Sequence, residues 1–523
     1  MPTGILLAIA LAVPPPAAPP WRPDGGDGSY RNPVLYADYS DPDVVRVGDD
    51  FYLVASSFTS VPALPILHSR DLVNWTIVGH AAATLPAPDF DAPQHGKGIW
   101  APSLRHHDGW FWIYVGDPDR GVYMTRARDA RGPWEPLHLL QPARGWIDPC
   151  PLWDDDGSLY LVHAWAKSRA GFNGVLSVRR LTPDGRAVVG EETRIFDGGT
   201  RHPTIEGPKF YKRDGWYYVF APAGGVADGW QTVLRSRSVL GPYEDRIVLD
   251  RGGTATNGPH QGAWVATERG DWFLHFQDRG AYGRIVHLQP LAWREGWPVI
   301  GRDADGDGRG EPVPGGPLPV AGAGPREPQT SDGFDGDRLG LQWQWQANPR
   351  AEWASVAARR GFLRLAAVGT PGPNHWSSPH LLLQKLPAPA FAATASVDAA
   401  SLGEGARAGL VVMGADYATL TVERSAAGLT LRLRRCREAD KGGAETEDAS
   451  VEVPAGPLEL RVAVGEGAVC QFSWRRAGAG FVPIGPSFVA QPGRWVGAKV
   501  GLFAGAPGTS PAGHADFDWF RVE

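Results

Sequence analysis

An acidic or glycine turn followed by an aromatic strand occurs five times in this chain. The copies are GDDFYLVASS from Gly48, DGWFWIYVGD from Asp108, DDGSLYLVHA from Asp155, RDGWYYVFAP from Arg213 and RGDWFLHFQD from Arg269. Their starts are separated by 60, 47, 58 and 56 residues, room for a four-stranded antiparallel sheet plus loops. Each aromatic strand is followed by another apolar strand, and Gly, Asp or Pro punctuates the gaps. Isolated hairpins of this kind cannot bury their faces, whereas a ring of five sheets can. The expectation is an all-β chain whose residues 30–310 form a five-bladed β-propeller.

A Gly/Pro-rich stretch, EPVPGGPLPVAGAGPREPQTSDG, then breaks the pattern and reads as an extended connector over 311–333. Short alternating strands return over 334–523, among them FAATASVDA, RAGLVVMG and LTLRLRRC, and predict a β-sandwich with one buried and one wetted face per sheet. A chain of 523 residues exceeds one ordinary core, so two domains are expected. Trp outnumbers Phe, 22 to 19, and indole faces suit sugar rings as well as cores. The formal charge of −6 does not favour nucleic acid.

The opening MPTGILLAIALAVPPPAAPP combines a short apolar run with an Ala/Pro tail. Residues 1–29 are read as an export signal and disordered leader, although no positive charge precedes the apolar run. A plain disordered leader, or a start placed too far upstream, fits the same residues; with no signal the protein would be cytoplasmic. The run is too short for an integral membrane span. Three cysteines rule out a disulfide framework. Cys436 and Cys470 either pair or stay as buried thiols on adjacent strands.

Three acids stand beside Pro or Gly, each ahead of the aromatic strand of its unit: Asp41 in SDPDVVRV, Asp148 in GWIDPCPLW and Glu206 in HPTIEGPKF. Any one of them is explained by a turn. Three at matched places in three blades point to a shared pit, where glycosidic cleavage needs an acid for the leaving oxygen and a second carboxylate for water or carbon. Glu206 has the reach of a general acid, Asp41 suits the base, and Asp148 remains as modulator. Trp100 and Trp165 either stack on sugar or belong to the core. His260 and Arg284 lie at the fifth blade, where Arg284 pairs with carboxylates, binds hydroxyls or makes a surface salt bridge.

DADGDGRGE from Asp303 sets Asp303, Asp305 and Asp307 at the first, third and fifth positions of a calcium-type loop, with Gly308 sixth. Pro314 stands where the bidentate Glu would be, and an acidic turn is the competing reading. No zinc motif, nucleotide loop or nucleophilic serine elbow is present, and the chemistry calls for no cofactor.

Together the stretches NPVLYADYSDPDVVRVGDDFYLVASSF, GIWAPSLRHHDGWFWIYVGDPDRGVYM, WIDPCPLWDDDGSLYLVHAWAKSRAGFN, HPTIEGPKFYKRDGWYYVFAPAGG and NGPHQGAWV resemble glycoside hydrolase family 43. Residues 330–523 resemble the concanavalin-A-like sandwich that follows the propeller in many of its β-xylosidases. The resemblance implies Asp41 as general base, Asp148 as pKa modulator, Glu206 as general acid, His260 under the pit and Arg284 on the innermost sugar. It also implies inversion and exo action on xylo-oligosaccharides, with arabinofuranosyl removal from arabinoxylan-derived substrates as the alternative and sugar binding without catalysis as the non-enzymatic one. This chain has SSFTSVPALPILH where many relatives carry a Phe-Glu-Trp-like segment. That departure makes Phe58 and Leu64 pocket-wall candidates and leaves the preferred pentose open.

Overall fold

A computed structural model describes residues 20–322, 324–508 and 511–523. Most of the expected leader, residues 1–19, therefore lies outside the described residues. Among the described residues no helix is long and apolar enough to cross a membrane.

Five four-stranded antiparallel sheets follow one another, each built from consecutive strands. Their first strands are Asp43–Val47, Trp100–His107, Trp146–Trp153, Lys209–Arg213 and His260–Thr267. Those of the first four blades neighbour one another in turn, and that of the fifth returns against the first. Among the described residues no blade takes a strand from the other end of the propeller. The segment before blade one is instead pinned to blade five: Asn32 donates to the Leu288 and Val313 carbonyls and accepts from the Leu288 amide, and Leu35 bridges Val286.

The turns behind the repeat have a local cause. In blades two and four the first hairpin is closed by Asp108-Gly109 and Asp214-Gly215, all four at positive φ between 50° and 70°, the two-residue turn that matches strand twist. The tryptophan that follows is covered by arginines of the third strand: Arg126 and Arg128 over Trp110, Arg235 and Arg237 over Trp216. Arg128 and Arg237 also donate to the carbonyls of their turns. Turn and aromatic residue thus form one unit, at the opposite end of the first strand from the acids.

The second domain consists of two eight-stranded sheets packed face to face. One is centred on Lys499–Ala506 and Arg407–Met413, the other on His514–Val522 and Phe391–Asp398. Tyr36, Tyr282 and Ile285 of the propeller join the sandwich core. Val61 and Trp345 exchange backbone hydrogen bonds, Asn348 bonds Leu85, Phe90 and Asp91, and the Tyr282 hydroxyl meets Pro389, Gly465 and Ala468. The stretch expected as an extended connector carries a short strand, Gly315–Pro317, paired with Ser29–Arg31. All three cysteines are free and buried; Cys436 and Cys470 lie in opposite sheets, not on adjacent strands.

Candidate active site

The acids sit just before or within the first strand of their blade, so strand residues stand between each of them and the aromatic strand. Asp41 stands two residues before the first strand of blade one, Asp148 is the third residue of that of blade three, and Glu206 lies three residues before that of blade four. Trp100 and His260 open the first strands of blades two and five. Because neighbouring strands run antiparallel, the starts of first and third strands and the end of the second share one face. Arg284 opens the third strand of blade five, and Trp165 ends the second strand of blade three, so both reach that face.

A repeated backbone kink aims these side chains. Asp41, Ala101, Asp148, Gly207 and Gln261 hold left-handed φ of 53°, 41°, 56°, 58° and 35°, one residue per blade. In blades two, three and five the register of the first pair of strands shifts at this point. A bulge re-aims a side chain, and four non-glycine residues held left-handed at about 1 kcal/mol or more each mark a backbone fixed by its surroundings.

Asp41 is buried and surrounded by donors. The Ser40 and Ser56 hydroxyls donate to Oδ2 at 2.7 and 2.6 Å, and the Arg284 guanidinium donates to Oδ1 at 3.1 Å and to Ser40 Oγ at 2.7 Å. Arg284 thus pairs with a carboxylate of the pit, as one of its expected readings has it. Asp148 accepts from the Gly207 amide at 2.7 Å and from Gln261 Nε2 at 3.4 Å, which ties blade three to blades four and five. His260 Nε2 lies 3.0 Å from Glu206 Oε1.

Burial, and next the negative charges of Glu206 and Asp41, push the Asp148 carboxyl well above the usual range. The three acids therefore share one electrostatic environment. They differ in access: the Glu206 side chain is 25% exposed and that of Asp41 4%.

Beneath them a buried polar layer joins four blades. Asp43 accepts from the Leu104 amide and from Arg105; Arg105 reaches Cys150, and Lys209 donates to Pro102 and Ser103.

Phe58 lies beside Arg284 and 6.1 Å from the half-exposed Trp100, whose indole N–H has no protein partner. Leu64 does not line the pit. Its backbone turns left-handed at φ 58° and its side chain is fully buried in the core between blades one and two. Trp165, partly exposed, donates to Ser177 and packs on Trp146 and Phe172 of blade three. One rim residue escaped the sequence reading altogether: Trp495 of the sandwich, 43% exposed, stands 6.4 Å from Trp100.

The three loop aspartates do bring ligand oxygens within 4.8 Å of one another. Asp303, however, is paired with Arg294, and the amides of Gly306, Asp307 and Arg309 fold back onto the three carboxylates as turn bonds.

The family model for glycosyl hydrolases family 43 matches residues 30–298, and that of the beta xylosidase C-terminal concanavalin A-like domain matches 331–523. The chain is 46% identical to a putative beta-xylosidase of Xylanibacter ruminicola over 66% of its own length and 64% of the relative's. It is 31% identical to a beta-xylosidase of Formosa agariphila, covering 96% of this chain and 91% of the relative. A non-reducing end alpha-L-arabinofuranosidase of Bacteroides ovatus is 30% identical, with 94% of both covered. The crystal structure of a xylan beta-1,4-xylosidase from Bacillus halodurans superposes with a TM-score of 0.84 at 26% identity, covering 94% of this chain and 99% of that one. A five-bladed propeller with acids from three blades facing one another, followed by a sandwich, is thus matched along its length, and the chain belongs to glycosyl hydrolases family 43.

Proposed function

We propose that the protein is an exo-acting, inverting β-xylosidase that removes single xylosyl units from the non-reducing ends of xylo-oligosaccharides. The observation that carries this reading is the convergence of Asp41, Asp148 and Glu206 from three blades on one face, each held by its own donors. Glu206, the most accessible of the three, delivers a proton to the departing glycosidic oxygen. Asp41, oriented by Ser40, Ser56 and Arg284, draws a proton from water as that water attacks the anomeric carbon. Asp148 does not touch substrate in this scheme. Its raised proton affinity, set by burial and the charges of Glu206 and Asp41, favours retention of a proton within the trio. Trp495 narrows the rim beside Trp100, which favours chain ends over chain interiors.

Arabinofuranosidase action is the second reading, favoured by the full-length likeness to the Bacteroides ovatus enzyme. Proton NMR of the sugar released from paired nitrophenyl β-xylopyranoside and α-arabinofuranoside tests both readings. Predominant xylose, first appearing as the α-anomer, is expected; predominant arabinose overturns the substrate assignment, and initial β-xylose overturns inversion.

No cofactor enters this chemistry. Both oxygens of Asp303 and one each of Asp305 and Asp307 are already engaged by Arg294 and the turn amides, so no calcium is placed on this loop. Chelation is expected to leave melting temperature and turnover unchanged; a fall in either restores the ion. Export through the apolar opening run is part of the proposal, and N-terminal sequencing of protein recovered outside the cytoplasm tests it.

A further inference from the structure

One carboxylate of the propeller holds two amides that belong to different walls of the pit. Asp38, buried three residues before Asp41, accepts from the Arg284 amide at Oδ1 and from the Gly497 amide at Oδ2, both at 2.9 Å. Arg284 is thereby fixed at both ends, since its guanidinium meets Ser40 and Asp41. Gly497 lies two residues from Trp495, the sandwich residue at the rim.

The backbones around Asp38 are in close contact. Gly283 lies against the carboxylate at φ 71°, and a Cβ there would stand 2.4 Å from Asp38 Cγ. A Cβ on Gly497 would stand 2.6 Å from Gly283 N. Next along the sandwich, the Ala498 amide donates to the Ala281 carbonyl at 2.7 Å, and the Lys499 ammonium to the Ser60 hydroxyl. On the other side of Trp495, the Arg494 side chain packs on Gly96, where a Cβ would meet its Cγ at 2.5 Å. Residues 494–499 are thus tied to the propeller before and after Trp495. Trp495 itself sits left-handed at φ 65°, a conformation that a residue with a Cβ holds when its surroundings impose it. The charge of Asp38 also acts on Lys385 and Lys499, which face each other on adjacent strands, and opposes the downward push of burial on both. Joining two domains does not by itself account for this placement, because one of the two amides belongs to the arginine that pairs with Asp41.

We propose that Asp38 is a positioning residue for the reaction, setting from one carboxylate both the place of Arg284 beside Asp41 and the reach of Trp495 over the rim. The proposal rests on the glycosidase reading and deepens it: the wall that favours a chain end and the group that orients the base share one anchor. Asp38 touches no substrate in this account and acts through the two amides it holds.

Steady-state kinetics on the full chain test this, beside melting curves that report folding. The substrate is whichever pentoside the NMR assay shows to be turned over, so a wrong sugar assignment shows in that assay and leaves this test standing. Asp38→Asn has one carbonyl for two amides and is expected to raise KM ~3–10-fold and to lower kcat by ~10-fold. Because that change also removes the charge acting on two lysines, Gly497→Ala supplies a second approach, in which the added methyl presses on Gly283 while the acid stays in place. It is expected to raise KM ~3–10-fold with a smaller effect on kcat. Added to Trp495→Ala it should change KM by less than ~2-fold, since residues that act through one another are not additive. A wild-type KM in folded Gly497→Ala, effects that multiply in the double variant, or wild-type kcat and KM in folded Asp38→Asn overturns the proposal.

Discussion

At the scale of single residues the three acids differ most in their access to solvent. Glu206 meets solvent while Asp148 is sealed beneath the Gly207 amide, so Glu206→Gln is expected to lower kcat by ~10²–10⁴-fold on a substrate with a poor leaving group. A nitrophenyl leaving group, which needs less protonation, should recover much of that loss; near-normal turnover on both denies Glu206 the proton. Asp148 adds a stability signature. Its proton affinity is higher folded than unfolded, so the folded state binds more protons between the unfolded carboxylate value and the raised one, and stability falls as pH rises through that window. Asp148→Asn keeps an acceptor for Gly207 and is expected to raise the melting temperature at pH 7 to 8, with the gain vanishing toward pH 4; a melting profile against pH checks this. The acids were legible because Pro or Gly flanks mark them at matched places in three units. Leu64 was misplaced because its left-handed backbone turns the side chain inward, which no local pattern records.

At the scale of elements, the blade is legible where a turn dictates its residues. Asp-Gly closes a two-residue hairpin and the next tryptophan is capped by third-strand arginines, so the same letters recur. The kink that aims the pit residues is equally regular in geometry and only partly visible in letters: Asp41, Ala101, Asp148 and Gly207 each precede a proline, Gln261 precedes Gly262, and the kink residues themselves are of four different types. Gly207 alone among them lacks a side chain, and a Cβ there would stand 2.5 Å from Gln261 Cγ. Gly207→Ala is expected to cost about 1–3 kcal/mol of stability. It should also lower kcat more than KM, because the displaced amide is the one that holds Asp148. Urea melts beside steady-state kinetics decide it, and unchanged kcat would detach the kink from the chemistry.

At the scale of the whole molecule, the sandwich is part of the site and of the core. Tyr36, Tyr282 and Ile285 of the propeller are buried among its strands, and Trp495 reaches the rim next to Trp100. Trp495→Ala is expected to raise KM for xylobiose several-fold with a smaller effect on kcat; an unchanged KM would remove it from substrate contact. Two domains could be read from the break in repeat, but not this reach, since nothing local to Arg494 and Trp495 names a partner some four hundred residues earlier in the chain.

The closure of the ring carries its own consequence. With every blade made of consecutive strands, the circle is fastened by the Asn32 side chain, the Leu35–Val286 bridge and the pairing of Ser29–Arg31 with Gly315–Pro317, not by a strand woven into a blade from the other end. That seam adjoins the segment carrying Asp41, so loosening it would carry this carboxylate away from Asp148 and Glu206.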